Sequence, residues 1–411
     1  MKILFLAPQP FFQERGTPIA VRLAIQVLAK RIRFRDGVPE AKDEIDLLTY
    51  HEGTDIQIPG VRLCRIRVPW FIRNVGPGIS FKKLFCDLIF LFTALRMVRR
   101  AKDRSYDVVH AVEESVFIAM LIKLIWKIPY IYDMDSSLAL QLTEKWWWLK
   151  PFYKILEGIE KQAVRHSMAV VPVCDALAAV AVNHGSKDIQ VLRDISLISQ
   201  NFTGKSFGPN RLKVEAGIPQ QSLVVLYIGN LEPYQGVDML IDGFASIRRE
   251  TSNTHLVVIG GTDRHIEKYR AKAENLGVDR TVHFIGRRPL STLGDYLVQG
   301  DILASPRTRG ENTPMKIYSY LHSGVPIIAT DLPTHRQVLD HSVAVLCEPN
   351  ALAFGQGLHK LIGDSSLRRQ IGRKARELAQ NRYTFEVFSQ GLNELYDRVD
   401  STLVPQLVAN I

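Results

Sequence analysis

A strand, a glycine loop and a helix start follow one another in LYIGNLEPYQGV, residues 226–237. The apolar run stops at Gly229, and Gly236 stands directly before the next apolar positions. A loop of this kind exposes backbone N–H groups at a strand end, where they can bind an anion. The pattern therefore predicts a phosphate-binding loop in an α/β domain.

A second loop of the same type lies in SPRTRGENTPMKIYSYLHSG, residues 305–324, which VPIIATD follows at 325–331. A strand runs into a polar loop, and a helix is expected to open near Pro314 with a diphosphate on its N-terminus. Polar side chains stand at the mouth of that helix: Glu311, Asn312 and Thr313. Basic side chains that would add positive charge there are Arg307, Arg309 and Lys316.

Around these loops, short β-branched or aromatic runs alternate with longer helical patterns, which is typical of parallel sheets. Strands are predicted in the first half at 2–6, 45–49, 61–65, 108–111, 130–132, 169–173 and 189–192. Strands are predicted in the second half at 223–228, 255–259, 282–285, 302–304, 327–329 and 343–346. Helices are predicted between them, for example at 19–31, 81–101, 237–249, 265–276, 292–297 and 315–323.

The length of 411 residues favours two domains. The polar, aperiodic residues 196–210 are predicted to form a linker between an N-terminal domain, 1–195, and a C-terminal domain, 211–383. A last amphipathic helix is expected within 384–411. Hydrophobic residues make up 46% of the chain and charged residues 23%, which is a globular composition.

The four cysteines lie far apart in the sequence, which argues against a disulfide framework or a zinc cage and fits a reducing compartment. The apolar run at 3–7 is too short for a signal sequence, and the helix predicted after Phe81 is interrupted by Asp87. No membrane-spanning segment is expected. We therefore predict a cytoplasmic protein.

The net charge of +10 is concentrated in part in residues 62–104, which hold about eleven basic and about two acidic residues among many aromatic ones. A solvated helix face, an anionic membrane surface and a nucleic acid would each explain this segment. No nucleic-acid recognition module is present, so nucleic acid is not an expected partner. The solvated helix face and the anionic membrane surface both stay open as explanations. The membrane explanation predicts peripheral attachment to the inner face of a membrane.

Asp133-Met134-Asp135 follows an apolar run, and two carboxylates in that arrangement are able to hold Mg²⁺. This spelling also occurs in metal-dependent phosphatases, which carry it at the first strand together with partner motifs. Here it follows a later strand and the partner motifs are missing. A metal-dependent phosphatase using Asp133 and Asp135 is therefore only an alternative, and no metal site is predicted.

Taken together, these motifs resemble the retaining family-4 glycosyltransferases of GT-B fold, and the likeness covers nearly the whole chain. It rests on Gly16-Thr17-Pro18, DVVHA at 107–111, the loop at Gly229, the spacing from Pro314 to Gly324, and the last helix. The resemblance implies two doubly wound Rossmann-like domains facing a central cleft. It also implies that the C-terminal helix returns to the N-terminal domain.

The resemblance also assigns site residues. The family has two glutamates eight positions apart that face the donor; the first matches Glu311 and the second falls on Ser319. The family's histidine after the fifth strand appears as Asp135. Its arginine after the loop glycine and its lysine before the next glycine appear as Asn230 and Gln235. The loss of the two basic residues leaves the diphosphate charge to be met by other side chains.

The activity implied is that of a retaining, hexosyltransferase-like glycosyltransferase that needs no metal and no further cofactor. Its partners would be a nucleotide-sugar donor and a saccharide acceptor, including a lipid-linked or cell-surface saccharide. Catalytic roles fall on Glu311 and Asp135, and acceptor contacts on Glu113 and Glu114. Donor contacts fall on Gly16, Gly229, Asn230, Gln235, Arg307, Arg309, Asn312, Thr313, Met315, Lys316 and Ser319. The alternative is a non-catalytic relative that acts as a binding or scaffold protein.

Overall fold

The computed structural model describes residues 1–11, 16–32, 34–35, 38–39, 43–76, 80–101, 105–198, 208, 210–310 and 312–409. Side chains at 34–35, 38–39, 144–145 and 404–409 are outside this description. The chain divides into two compact units. The first comprises Met1–Arg193 and Glu386–Ile411, and the second comprises Asp194–Phe385.

The first unit is built on a six-stranded parallel sheet in the order β5-β4-β1-β6-β7-β8. Its strands are β1 (Lys2–Ala7), β4 (Glu44–Thr49), β5 (Val61–Arg65), β6 (Val108–Val112), β7 (Tyr130–Met134) and β8 (Ala169–Pro172). A separate short hairpin is formed by β2 (Phe34–Arg35) and β3 (Val38–Pro39). The central strands are apolar on both faces, because helices cover both sides of a parallel sheet.

The helices of the first unit connect these strands. They are α1 (Gly16–Leu28), α2 (Phe81–Arg100), α3 (Ser115–Trp126), α4 (Leu138–Lys145), α5 (Tyr153–His166) and α6 (Asp175–Asn183), with a 3₁₀ segment at Trp147–Phe152. Ser80 caps α2 and Ser137 caps α4, each accepting a backbone N–H with its hydroxyl.

The second unit repeats the design, with a parallel sheet in the order β11-β10-β9-β12-β13-β14. Its strands are β9 (Leu223–Ile228), β10 (Thr254–Ile259), β11 (Val282–Gly286), β12 (Ile302–Ser305), β13 (Ile327–Thr330) and β14 (Ala344–Cys347). Its helices are α7 (Arg211–Ala216), α8 (Val237–Ser246), α9 (Asp263–Asn275), α10 (Leu293–Leu297), α11 (Lys316–Ser323), α12 (Pro333–Arg336), α13 (Ala351–Gly363) and α14 (Ser365–Arg382), with 3₁₀ turns at Pro233–Gln235 and Leu290–Thr292.

The last helix, α15 (Phe385–Ala409), closes the chain within the first unit. Leu392, Leu395, Tyr396 and Val399 are buried at helical spacing and form its inner face. The Tyr396 hydroxyl lies 3.0 Å from Nδ1 of His110 on β6, and the two rings are stacked. The α15 helix therefore contributes directly to the core of the N-terminal sheet.

Both sheets have the strand order 3-2-1-4-5-6 of a doubly wound fold, so the predicted α/β class with two Rossmann-like domains is confirmed. Residues 189–192 are the exception. They form one isolated bridge, from Ile189 to Val170, instead of a strand, although Gln190 and Leu192 donate backbone N–H groups to β8.

The boundary between the units also differs from the predicted linker. It falls after Arg193, and Ile198 is already buried in the core of the second unit. Residues 199–207 and 209 lie outside the described part of the chain.

Candidate functional site

The second unit has its topological switch point between β9 and β12, which are neighbours in the sheet. The chain leaves β9 through Gly229 towards α8 and leaves β12 through Pro306 towards α11, and these helices pack in clusters on opposite faces of the sheet. Ligands of doubly wound folds bind in the crevice that opens at such a point. Both loops singled out in the sequence therefore meet at one place.

Glycine is required at two positions of this crevice. A Cβ atom on Gly229 would lie 3.0 Å from both the Lys316 ammonium and the Tyr227 hydroxyl. Gly236 has a φ of +72°, and a Cβ there would come within 1.8 Å of the Pro306 carbonyl oxygen. The β9–α8 loop can thus approach the β12–α11 loop because Gly236 lacks a side chain, and Gly229 leaves room for the Lys316 ammonium.

Lys316 carries a buried cation at the end of β9. Its ammonium lies 4.1 Å from the centroid of the Tyr227 ring and has no hydrogen-bond partner among the described residues. Burial, with a smaller contribution from the charge of Arg307, lowers the pKa of Lys316 to about 7. A buried, unpaired ammonium is costly unless an anion completes it. Its burial had no signal in the sequence, where Lys316 reads as a helix-start residue.

Arg307 holds the β12–α11 loop in shape. Its Nε donates to the Arg309 carbonyl oxygen at 2.6 Å, and its Nη1 donates to the Asn312 carbonyl oxygen at 3.0 Å. The guanidinium also lies 5.4 Å from the Tyr234 ring centroid and is largely buried. Arg307 therefore adds positive potential beside Lys316 while its donors are partly used by the loop, and Arg309 is exposed.

A buried network anchors the start of this loop. The Thr330 hydroxyl donates to the Arg307 carbonyl oxygen at 2.5 Å, and Nε2 of His335 lies 2.9 Å from the Ser305 hydroxyl. Burial lowers the pKa of His335 to about 4, so its imidazole is neutral near pH 7. The start of the loop is thus anchored by uncharged side chains, and Lys316 and Arg307 supply the local positive charge.

The two positions at which the family has basic residues are neutral and serve the loop itself. The Asn230 side-chain oxygen accepts the Glu232 N–H at 3.3 Å. Gln235 is buried, and its side-chain oxygen lies 3.4 Å from the Tyr227 hydroxyl. Neither side chain brings charge, and the Lys316 ammonium and the Arg307 guanidinium supply positive charge instead.

The remaining predicted donor residues lie along the start of α11. Asn312 and Met315 are half-buried, and Thr313 is buried with a hydroxyl that lacks a partner among the described residues. Ser319 is fully buried, and its hydroxyl accepts the Leu197 N–H at 3.0 Å, so it supports the chain instead of facing a ligand. Glu311 lies outside the described residues.

Acidic side chains meet near the carboxyl ends of β6 and β7 in the first unit. Glu113 and Glu114 follow β6, Asp133 lies on β7 and Asp87 comes from α2; the four are here termed the acidic cluster. Lys83 forms an ion pair with Glu114 and lies 3.3 Å from an Asp87 oxygen. Nε2 of His110 lies 3.3 Å from an Asp133 oxygen. Four carboxylates thus surround one lysine and one histidine. The sequence indicated Glu113 and Glu114; Asp87 was noted there only as a break in an apolar run.

Glu113 has an unusual backbone. It follows β6 with a φ of +50°, a left-handed conformation that costs energy for a residue with a side chain. Burial raises the pKa of its carboxyl; the Lys83 charge opposes this shift and the Asp133 charge adds to it. Strained and electrostatically perturbed residues of this kind concentrate at functional sites.

The other residues predicted in the first unit are Asp135 and Gly16. Asp135 is half-buried just after β7. A Cβ on Gly16 would meet nothing within 4 Å, so the protein itself does not require glycine there. Across the described residues, no group of three or more His, Cys, Asp or Glu side chains is arranged to hold a metal ion. In that same part of the chain, no helix is long and apolar enough to cross a membrane.

Two sequence profiles match the chain, one in each unit. The profile described as "Glycosyl transferase 4-like domain" matches residues 33–193, and "Glycosyl transferases group 1" matches residues 210–378. A relative named D-inositol 3-phosphate glycosyltransferase, from Corynebacterium glutamicum, is 24% identical over 337 residues. That alignment covers 78% of this chain and 80% of the relative.

Solved structures share the fold. Sucrose-phosphate synthase from Thermosynechococcus elongatus superposes with a TM-score of 0.75 at 17% identity, covering 98% of this chain and 99% of that one. The Anabaena protein HepE, in complex with UDP-glucose, superposes with a TM-score of 0.71 at 16% identity, covering 97% of this chain and 100% of that one. Each unit thus has its counterpart in the two-domain GT-B fold.

Proposed function

Because the chain belongs to the group 1 glycosyltransferases, we propose that it is a retaining enzyme that transfers a sugar from a nucleotide-sugar donor to a saccharide acceptor. One observation carries the proposal: the buried Lys316 ammonium, unpaired among the described residues, stands beside Gly229 at the switch point of the second sheet. A donor diphosphate would supply the missing anion. The Anabaena protein HepE has been solved in complex with UDP-glucose, which supports this class of donor.

The proposed transfer breaks the bond from the anomeric carbon to the diphosphate and forms one to an acceptor hydroxyl on the same face. The acceptor proton passes to the departing phosphate oxygen. Lys316 and Arg307 stabilise the charge that develops on the diphosphate, which is the main electrostatic task in such a reaction. Glu311 positions the donor sugar, as the family resemblance implies. With these cations in place, we expect transfer to be independent of divalent metal.

The acceptor is proposed to be a saccharide whose reactive part carries no phosphate. The acidic cluster offers carboxylates that accept hydrogen bonds from sugar hydroxyls, whereas a phosphate placed there would meet like charge. In this respect we expect the chain to differ from the relative named for D-inositol 3-phosphate. The acceptor saccharide is proposed to be lipid-linked or part of a cell-surface polymer.

Purified protein incubated with a panel of nucleotide sugars tests the donor. A saturating thermal shift with one of them, followed by transfer to a saccharide acceptor with retention of anomeric configuration, is the expected result. Turnover should be unchanged by a chelator; loss that Mg²⁺ restores would favour a metal site at Asp133 and Asp135. A folded protein that binds no donor would instead support a non-catalytic binding or scaffold role.

The Glu311→Gln variant tests the catalytic assignment in the same assay. It keeps the size of the side chain but replaces one acceptor oxygen with a donor group. Losing a charged hydrogen bond that the transition state uses is worth about 1.5–3 kcal/mol, or roughly ten- to a hundredfold in rate. Normal turnover by this variant would remove Glu311 from the mechanism, while the donor site around Lys316 would stand.

A further inference from the structure

The turn from β7 to α4 carries Asp135 and is three residues long. β7 ends at Met134, α4 begins at Leu138, and Asp135 is half-buried between them. A connection this short has a limited reach, so the position of the Asp135 carboxylate depends on what holds the turn at its two ends. The first end is held by β7, which lies in the sheet between β6 and β8. The second end is held from a different helix.

Glu160 of α5 holds this second end. It is 1% exposed, and one of its carboxyl oxygens accepts both the Ser137 hydroxyl and the Ala139 N–H, each at 3.0 Å. Ser137 is in turn the N-cap residue of α4, because its hydroxyl accepts the Leu140 N–H at 3.4 Å. Glu160 thus binds the cap and the first turn of α4 from outside that helix, where a carboxylate also complements the helix dipole.

The α5 helix is itself fixed to β7. The Tyr130 hydroxyl on β7 donates to the Ala163 carbonyl oxygen at 2.6 Å, and Ala163 and Val164 are buried in the core of the first unit. Glu160 stands one helical turn before Ala163. The contacts therefore form a closed loop, from β7 through the turn and α4 to α5 and back to β7. Asp135 lies within this loop, between two segments that are anchored on the same strand.

The carboxyl of Glu160 is by itself unfavourable for the fold. Its second oxygen is buried without a partner among the described residues, and it lines a half-open depression whose other lining side chains are apolar. Burial raises the pKa of this carboxyl, and the bonds from Ala139 and Ser137 lower it in part. An apolar side chain would suit this lining better. What Glu160 adds is the pair of hydrogen bonds to the start of α4.

We propose that Glu160 is a positioning residue for sugar transfer, which holds the turn of residues 135–137 so that Asp135 faces the acceptor. The inference rests on the proposed transferase function, in which Asp135 stands at the position of the family's histidine. Glu160 touches no substrate and acts through the hydrogen bonds of one oxygen. Its charge is therefore dispensable, because an amide oxygen in the same place would accept both bonds.

Glu160→Gln and Glu160→Leu test this role in the full-length protein. Gln keeps an oxygen that accepts both bonds, whereas Leu keeps the bulk and loses them. The assay uses the nucleotide sugar that gives a thermal shift, with methyl glycosides as small acceptors. Glu160→Leu should lower kcat about tenfold or more, because a displacement of about 1 Å at a reacting group can cost a hundredfold. Its KM for the donor should be unchanged, and Glu160→Gln should retain most of the wild-type kcat.

Hydrogen exchange gives a second readout that needs no turnover. Peptides covering residues 134–142 should exchange faster in Glu160→Leu than in the wild type, and Glu160→Gln should protect them as the wild type does. Asp135→Asn tests whether the effect on kcat passes through Asp135. In that background Glu160→Leu should lower kcat little further, since residues that act through one another are not additive.

Asp107→Leu is the matched control. Asp107 accepts the Lys2 N–H at 2.6 Å, at the amino ends of β1 and β6. The variant therefore removes a carboxylate-to-backbone bond from the same unit, but at the opposite end of the sheet from the acidic cluster. It should lower the unfolding temperature and leave kcat unchanged.

Full transfer by Glu160→Leu, or an equally large loss in Glu160→Gln, would overturn the positioning role. Additive losses in the Asp135→Asn background would overturn it as well. If Glu160→Leu does not fold, Ser137→Ala removes one of the two bonds from the other side and should give a smaller loss of the same kind. A wild-type protein that turns over none of the donors would refute the transferase function itself, whereas the other outcomes refute only the role of Glu160.

Discussion

Lys316 is the residue on which the donor assignment depends. Its charge is unfavourable in the ligand-free protein and favourable when a diphosphate is bound. Without ligand, its ammonium is buried and unpaired among the described residues, which destabilises the fold. With a diphosphate bound, the same charge forms a charge-assisted hydrogen bond. One side chain thus carries an unfavourable interaction that only an anion relieves.

We expect Lys316→Met to weaken donor binding by roughly ten- to a hundredfold, because a charged hydrogen bond is worth about 1.5–3 kcal/mol. The same variant should be more stable than the wild type in the absence of donor. Donor titration and thermal unfolding measure the two effects. Lys360→Met, at an exposed position of the same unit, is the control and should change neither. A Lys316→Met protein that binds donor normally would refute the site.

The lowered pKa of Lys316 predicts a pH dependence of opposite sign for stability and for binding. The folded pKa of about 7 lies below the unfolded value near 10.4, so between these values the unfolded state binds more protons. The free energy of unfolding of the ligand-free protein should therefore rise with pH across this window. Donor affinity should fall from pH 7 to 9, by up to about tenfold per pH unit, because the ammonium that binds the diphosphate is lost.

The contribution of Lys316 to both slopes should be missing from Lys316→Met. Because the other titrating groups are common to the two proteins, the difference between their slopes isolates Lys316. Chemical denaturation and donor titration at pH 6.5, 7.5, 8.5 and 9 would show the difference. If the variant keeps the wild-type slopes, Lys316 does not titrate in this pH range.

At single positions, the sequence indicated which residue types stand at the strand ends but not what they contact. Gly229 and Lys316 were both named from their loops, yet only folding shows that a Cβ on one would touch the ammonium of the other. The family resemblance implied a ligand position at Ser319, whereas packing turns its hydroxyl towards the Leu197 N–H. Contacts between residues distant in sequence are not encoded in local spacing.

Among the elements, α2 carries two apolar stripes. Cys86, Phe90, Ala94 and Val98 are buried at helical spacing. Phe81, Phe85, Leu88 and Phe92 form a second stripe at similar spacing that is exposed, with Phe81 93% accessible. Basic residues flank the exposed stripe, including Lys82, Arg96, Arg99 and Arg100. Four exposed apolar residues on one helix face are unfavourable in water. Together with the flanking basic residues, they favour contact of α2 with a membrane surface.

We expect the protein to float with anionic vesicles at low salt and to be released at high salt, because basic side chains near the headgroups contribute about 1 kcal/mol each. Changing Phe81 and Phe92 together to serine should reduce recovery about tenfold or more through lost burial. Val214→Ser, at an exposed apolar position of the second unit, is the control. If the protein floats equally well with neutral and anionic vesicles, or with neither, the exposed face of α2 is solvated and does not bind anionic membranes.

Element types were predicted well where local pattern and burial agree. The core strands of both sheets are continuous β-branched or aromatic runs, and they lie within a residue or two of the predicted bounds. Residues 189–192 have a similar pattern but form only a single bridge, from Ile189 to Val170, beside β8. The half-open apolar depression lined by residues of α3, α4 and α5 could not be predicted, since it depends on how three helices pack.

At the scale of the whole molecule, the second unit is inserted into the first. The chain leaves the first unit after Arg193 and returns to it at Glu386, so α15 completes a core that begins with β1. The buried apolar cluster around β6 and β7 lies within the first unit, and the two clusters around β9 and β12 lie within the second. A core substitution in one unit, or donor bound to the second unit, should therefore shift the unfolding transition of that unit and not of the other.

Tyr396→Ala tests this organisation. Tyr396 is 0% exposed, contacts His110 on β6 and lies 5.8 Å from the Arg31 guanidinium, so truncation removes a ring from the first core. We expect the first unit to lose about 3–5 kcal/mol, the usual cost of truncating a buried aromatic residue. In calorimetry, one unfolding transition should move down while the other stays in place and still shifts upward with donor. Tyr269→Ala is the control, because Tyr269 is fully buried in the second unit. It should lower the unfolding temperature of the second unit and leave the contacts of α15 intact. If Tyr396→Ala lowers both transitions equally, the units unfold as one body and the assignment of donor binding to a separately stable unit fails.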